Sequence, residues 1–381
     1  MYLDNHASTP TDSKIIDLFQ SITKNPLISN PHSSEHQYGW QAEAIVAEAL
    51  DSISLYLNCL PDELVVTSGA TEANNLAIIG MAMSARLKNN SRNKIIVSAI
   101  EHKCVLNAAQ HVHELFGFEI IEAPMTPGGL ISMTSLASLV DEETLLVSCM
   151  AVNNEIGTVQ PIAEIGHLCR TVGATFHVDA AQAAYTDIDV VEQNVDLLSL
   201  SGHKVYAHKG VGILYINSDM LLKPTPIIHG GGQQGGMRSG TLSPALCASM
   251  AKGLELIDEY KAEEINHLQS LRTLFLVTLD KAQVRYTING SMSQRHPGNL
   301  NLQLHGVDAS TLIMRLQPRL AISTGSACNS GVIQGSYVLK ALGLTAEEIS
   351  QSIRLGFGRF NTEDEAVSAA NMIVDEINHI I

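Results

Sequence analysis

No two of the six cysteines, at positions 59, 104, 149, 169, 247 and 328, form a C-x-x-C pair. That pattern gives no support to a structural zinc site or a thioredoxin-like redox pair. No uninterrupted apolar run approaches the ~18 residues needed to span a membrane. The chain opens Met-Tyr-Leu-Asp, with neither a basic stretch nor an apolar core, so it does not read as a secretory signal. Scattered thiols in a chain of this length fit a reducing compartment, and the cytoplasm is the expected location. Positive charge is scarce: 23 Lys and Arg face 39 Asp and Glu, for a net charge of −16. Direct nucleic-acid binding, which needs cations to displace counterions, is not expected. The acid excess serves solubility and suits a basic partner. Charged residues total 16% against 45% hydrophobic, which excludes disorder. Gly and Pro (28 and 12) are at ordinary levels, and neither a repeat nor a low-complexity segment is visible.

A chain of 381 residues is too long for one small core, and a wound sheet with a second domain is the natural expectation. Short apolar runs lie at 64–67, 94–100, 145–152, 175–178, 197–200 and 211–216. They are continuous rather than alternating, as in strands covered on both faces. Between them are helical patterns at 41–58, 71–87, 105–116, 162–172 and 244–260. Strands alternating with helices predict an α/β fold, a mostly parallel sheet wrapped by helices. After about residue 258 the pattern changes. A helical stretch at 261–281 leads to short segments at 285–288, 298–304 and 320–324, then a last helix at 362–380, the pattern of a smaller α+β domain.

Three motifs carry chemistry. Residues 67–75 (TSGATEANN) end a strand in small residues and begin a helix. Unpaired N–H groups at a helix start favour a phosphate; a plain turn with a Ser or Thr cap has the same sequence. Asp179, in FHVDAAQ, ends a predicted central strand, where open α/β sheets bind ligands. It equally reads as a helix cap. Lys204, in SLSGHK, follows a buried strand among small residues, which suits Schiff-base chemistry or a plain surface loop. Together and in this order they suit pyridoxal phosphate. That cofactor needs an anion site, a carboxylate at the pyridine nitrogen and a lysine. His32 and His36 have i,i+4 spacing, but the segment reads as a loop without a third ligand, so no metal is expected.

Further stretches extend the pattern: 2–10 (YLDNHASTP), 30–39, 101–106 (EHKCVL), 152–159 (VNNEIGTV), 237–241 (MRSGT), 323–331 (STGSACNSG) and 353–360 (IRLGFGRF). With these the chain resembles the class V aminotransferases among fold-type I pyridoxal-phosphate enzymes. Within them it is similar to the cysteine desulfurases with a longer catalytic loop. The resemblance implies a seven-stranded cofactor-binding domain over residues 15–258. It also implies a small α+β domain of residues 1–14 with 259–381 that carries the catalytic cysteine. It makes Lys204 the Schiff-base lysine and proton carrier, Asp179 the partner of the pyridine nitrogen and Gln182 the partner of the ring oxygen. His102 becomes the ring-stacking residue and an acid–base group. Ala70, Thr71, Ser201 and His203 become the phosphate cup, completed by Thr241 from the other subunit of a homodimer. Asn154, which would also contact the cofactor, and Arg354, with Asn30 as a further candidate, would bind the substrate carboxylate, for which a guanidinium fork is suited.

The resemblance makes Cys328 the nucleophile towards L-cysteine, receiving its sulfur as a persulfide and releasing L-alanine. Small and polar neighbours at 325–331 suit a thiol that must reach a substrate and leave it. The other five cysteines read as inert. A plain aminotransferase, a selenocysteine lyase and a silent scaffold are the alternatives; Cys328 together with Lys204 and Asp179 argues against them. The acceptor of the sulfur, whether an iron–sulfur scaffold, a tRNA-thiolation protein or a DNA-phosphorothioation protein, is not specified by these residues. Two departures stand out. Gln234-Gly235 replaces a Glu-Arg pair, and Ala207-His208 replaces Gly-Pro, which sets His208 near the site without a role.

Overall fold

Residues 1–324 and 335–380 are described by the computed structural model. Each of the six continuous apolar runs contains a strand. These are β1 (Leu64–Thr67), β2 (Lys94–Ser98), β4 (Thr144–Ser148), β5 (Thr175–Asp179), β6 (Leu197–Ser201) and β7 (Gly212–Ile216). A seventh, β3 (Glu119–Ala123), is missing from the sequence reading. It is a half-exposed strand at the sheet edge, flanked by acids, and it owes its shape to pairing with β2 rather than to its own pattern. The order is β1-β7-β6-β5-β4-β2-β3. Only β7 runs against its neighbours β1 and β6. The other six strands therefore point one way, and their carboxyl ends share one edge.

Helices wrap this sheet: α1 (Ser13–Lys24), α2 (Gln37–Leu57), α3 (Ala70–Leu87), α4 (Lys103–Phe116), α5 (Met133–Leu139), α6 (Ile162–Val172) and α7 (Pro244–Lys281). The two stretches expected at 244–260 and 261–281 are one helix of 38 residues. Tyr260-Lys261-Ala262-Glu263-Glu264 contains no Gly or Pro to end it. Its first half buries Met250, Leu254 and Ile257, and its second half Leu268, Leu271 and Phe275. The helix therefore runs without a break past residue 258.

Beyond it, β8 (Tyr286–Ile288), β9 (Asn299–Leu304) and β10 (Ser352–Gly356) form an antiparallel sheet in the order β10-β9-β8. The helices α8 (Ala309–Leu316), α9 (Tyr337–Ala341), α10 (Ala346–Ser350) and α11 (Glu363–Ile380) complete the chain. The short segment at 320–324 forms no strand among the described residues; it makes isolated bridges, from Ala321 to Tyr2 and from Ser323 to Arg354. The first residues join this side too: Gly356 donates its N–H to Leu3, and Leu3 donates to Ala321. No helix among the described residues is long and apolar enough to cross a membrane.

The large sheet carries one buried polar tie across its centre. His177 on β5 is hydrogen-bonded to Ser148 of β4 at 2.8 Å and to Ser199 of β6 at 3.2 Å. Burial pushes its imidazole down to about 3, so it stays neutral. Both nitrogens are satisfied inside the sheet, which makes this histidine a strand fastener.

Candidate active site

The site lies where the parallel strands end. β5 finishes at Asp179, β6 at Ser201, β1 at Thr67, and β2 runs out three residues before Glu101-His102. Asp179 is buried, and both its oxygens accept hydrogen bonds. The amide of Asn74 on α3 reaches Oδ2 at 2.7 Å, and the Ala181 N–H reaches Oδ1 at 3.0 Å. Two donors on different oxygens fix the direction of the carboxylate. Asn74 is fully buried, yet its Oδ1 has no hydrogen-bond partner among the described residues. No role was assigned to it from the sequence. The available signal was an amide on the helix face otherwise lined by Ala73, Leu76 and Ala77.

His102 caps α4: its Nδ1 accepts the Cys104 N–H at 3.2 Å. That bond puts the proton of the neutral ring on Nε2. The ring interacts with both Asp179 and Lys204. Its pKa is lowered, mainly by burial, with Lys204 and Lys103 adding to the effect and Asp179 opposing it. Cys104 sits in the same corner, with Sγ 3.0 Å from His102 Nδ1 and 3.2 Å from the Asn74 amide. Burial pushes this thiol up to about 12. Cys59, Cys169 and Cys247 are also raised to about 12, and Cys149 well above its usual value. All five remain thiols at neutral pH, as inert cysteines do. Cys328 lies outside the described residues.

Lys204 ends a short 3-10 turn after β6. Its ammonium donates to the carbonyls of His6 and Ala7, at 3.1 Å for the latter. The N-terminal segment thus forms one wall of the site. His203 beside it bonds Ser8 Oγ through Nδ1 at 3.2 Å, and burial lowers its pKa to about 4. Gln182, buried after β5, donates Nε2 to the His6 carbonyl at 2.8 Å.

The anion site is a helix start. Gly69 at the N-cap of α3 has φ +150° and makes no side-chain cap, which leaves first-turn N–H groups of α3 for a ligand. Its carbonyl accepts from Ala73, and a Cβ placed on it would lie 3.7 Å from Ser201 Oγ. The same backbone presses on Gly212 of β7, where a Cβ would come within 2.5 Å of Gly69 Cα. Ala70, Thr71 and Ser201 therefore meet at this turn. Thr241 is exposed on the segment before α7.

Arg354 of β10 is buried. Its Nη2 pairs with Asp4 at 2.7 Å, Nη1 donates to the Asn154 carbonyl at 3.1 Å, and Nε has no partner among the described residues. Asp4, unassigned from the sequence, holds this guanidinium in place. Asn30 is exposed and accepts the His32 N–H with its own side chain, an Asx turn. His36 caps α2 through Nδ1, so the 32/36 pair does not lie on one helix. No group of three metal-ligating side chains occurs among the described residues.

The two departures have structural consequences. Gln234 uses its side-chain amide to bond both backbone groups of Val66 on the edge strand β1, accepting at 2.7 Å and donating at 3.0 Å. Arg238 pairs with Glu72 in the first turn of α3 at 2.7 Å. His208 stacks on Phe19 of α1, with centroids 4.2 Å apart, and bonds Ser249 of α7 at 2.8 Å.

A lysine, a buried carboxylate with donors on both oxygens, a histidine within electrostatic reach of both and an uncapped helix start suit an enzyme site of the pyridoxal-phosphate type. The aminotransferase class-V family model matches residues 1–368, and the chain belongs to that family. The family is pyridoxal-phosphate dependent. The chain is 40% identical to a cysteine desulfurase, IscS, of Rickettsia massiliae over 381 residues, covering 100% of this chain and 92% of that protein. Among solved structures, a NifS-like protein superposes with a TM-score of 0.91 at 29% identity, covering 100% of this chain and 99% of that one. A structure described as SspA in complex with cysteine superposes at 0.82 with 32% identity, covering 95% and 99%.

Proposed function

We propose that this chain is a cysteine desulfurase. It would convert L-cysteine to L-alanine and leave the sulfur as a persulfide on Cys328. The observation that carries the reading is the meeting of Lys204, His102 and Asp179 at one sheet edge in a chain this close to cysteine desulfurases. The buried polar set fits pyridoxal phosphate. The α3 start at Ala70 and Thr71, with Ser201 and His203, would hold the phosphate. Asp179 would face the pyridine nitrogen, Gln182 the ring oxygen and His102 the ring itself. Bound there, the cofactor supplies an electron sink that loosens bonds at the α- and β-carbons of an amino acid.

The remaining work falls to side chains. Lys204 would hold the cofactor and move protons at the substrate α-carbon. Neutral His102, protonated on Nε2, can exchange a proton at that atom. Arg354, held by Asp4, orients the substrate carboxylate, with Asn154 beside it and Asn30 as a further contact. Cys328 as thiolate attacks the substrate sulfur; the S–C bond breaks and the carbon takes a proton. L-Cysteine and the enzyme thiol thus become L-alanine and an enzyme persulfide, with atoms balanced. The persulfide then passes to a sulfur-acceptor protein.

We further read the active form as a homodimer in which Thr241 completes the neighbouring phosphate cup. Residues 15–258 form the cofactor-binding unit, and residues 1–14 join 259–381. The inert thiols fit a cytoplasmic setting. The test is a pair of variants. Lys204→Ala should lose the visible cofactor absorbance. Cys328→Ser should keep it but release almost no sulfide or alanine, since a hydroxyl attacks sulfur poorly. Wild-type sulfide release by Cys328→Ser would overturn the persulfide route.

A further inference from the structure

His6 has no assigned function, yet it holds Gln182 at two points. The Gln182 amide nitrogen donates to the His6 carbonyl at 2.8 Å, and only the nitrogen end can do so. The other end, Oε1, then faces His6 Nδ1 at 3.2 Å. An amide oxygen is solely an acceptor, so Nδ1 must carry the ring proton. His6 is 3% exposed, and its Nε2 is a buried lone pair without a hydrogen-bond partner among the described residues. The groups around the ring are His296, edge-on with centroids 4.7 Å apart, Arg354 and Lys204. Burial and these neighbours push the imidazole well below its usual pKa, so it stays a neutral donor.

The amide count is then nearly closed. Of the two Gln182 N–H bonds, one is taken by the His6 carbonyl, and Oε1 is taken by Nδ1–H. One N–H is left. The same His6 carbonyl accepts from the Lys204 ammonium, so this clamp stands at the catalytic lysine. We propose that His6 is a positioning residue that fixes the Gln182 amide so that an N–H, rather than an oxygen, is offered to the ring oxygen of the cofactor. The proposal rests on the reading of Gln182 given above. A free N–H stabilises negative charge on that oxygen. It therefore lowers the pH at which the proton shared between the ring oxygen and the Lys204 nitrogen is lost.

The experiment is a pH titration of the visible absorbance of the holoprotein, with the cofactor dissociation constant measured alongside. His6→Leu fills the space but removes the donor. His6→Asn keeps one, because its amide nitrogen lies as many bonds from Cβ as Nδ1 does. Gln182→Leu reports on Gln182 itself. His6→Leu should raise the chromophore pKa by about one unit, tenfold in the proton equilibrium, with weaker cofactor retention. His6→Asn should return both to the wild-type values, and Gln182→Leu should shift the pKa at least as far as His6→Leu does. A shift in Gln182→Leu but none in His6→Leu would overturn the proposal alone. No shift in Gln182→Leu would overturn the reading of Gln182 and the proposal with it. Equal shifts in His6→Leu and His6→Asn would also reject the clamp. Should His6→Leu fail to take up cofactor, nitrogen NMR of the unmodified protein decides: a ring protonated on Nε2 instead of Nδ1 refutes the clamp.

Discussion

At the scale of single residues, Glu101 shows what the sheet edge demands. It precedes His102 and is fully buried. Its Oε1 accepts from Ser98 at 2.7 Å and from the Met150 N–H at 2.5 Å, while Oε2 has no partner among the described residues. Burial pushes its carboxyl up to about 8, and the nearby Asp179 adds to this. The group is thus protonated when folded and ionised when unfolded at intermediate pH. Its contribution is complete below the unfolded pKa, near 4.5, and is lost as pH rises through the folded value near 8. The slope for one such proton is about 1.4 kcal/mol per pH unit. Glu101→Gln keeps the accepting oxygen and removes the titration. Thermal unfolding midpoints between pH 5 and 8 should fall less steeply in this variant than in the wild type. Parallel curves would contradict the assignment.

At the scale of elements, the edge strand β1 is closed by a side chain. Gln234 offers its amide as if it were a neighbouring strand, so Val66 has no free backbone groups there. The loop it anchors leads through Arg238, paired with Glu72 on α3, to Thr241. In place of the expected Glu-Arg pair, Gln234 ties this loop to β1 through its side-chain amide, beside the Arg238–Glu72 pair. Gln234→Leu should loosen this loop while sparing the fold. Limited proteolysis should cut faster within residues 228–240, with the thermal midpoint lowered by a few degrees, the size of about 1 kcal/mol in a large domain. An unchanged cutting rate would show that Arg238–Glu72 holds the loop alone.

At the scale of the whole molecule, Arg359 fastens three distant parts of the chain. It pairs with Asp12 before α1 at 3.0 Å and donates to Glu264 in the middle of α7 at 3.2 Å. Its guanidinium also lies 3.9 Å from the Tyr206 ring centroid. Arg359→Met would leave Asp12 and Glu264 buried without their cation. A cost of about 3–5 kcal/mol is expected, since breaking a buried pair strands a charge. A denaturant midpoint within error of the wild type would contradict it. The shared-site dimer has its own test. Mixing Lys204→Ala with Thr241→Ala subunits should restore one working site per mixed dimer, because the intact Lys204 and Thr241 then come from different chains. No recovery on mixing, or an active monomer on dilution, would reject it.

The strands covered on both faces were legible because continuous apolar runs require burial whatever their neighbours. Lys204 and Asp179 stood out as candidates because each follows a strand among small residues, with a plain loop or cap reading beside it, and their order along the chain favoured the chemical one; His102 came from the family resemblance. β3 and the join of two helical stretches into α7 were not legible. An edge strand takes its shape from a partner, and a helix without a stop signal continues as far as packing rewards it. Nor were Asn74, Asp4 and His6, whose partners lie 105, 350 and 176 positions away along the chain. Local sequence determines which side chains can do chemistry. Which of them share a hydrogen bond, and so which way an amide or a guanidinium points, is decided only when the sheet edge and the N-terminal segment close on one another.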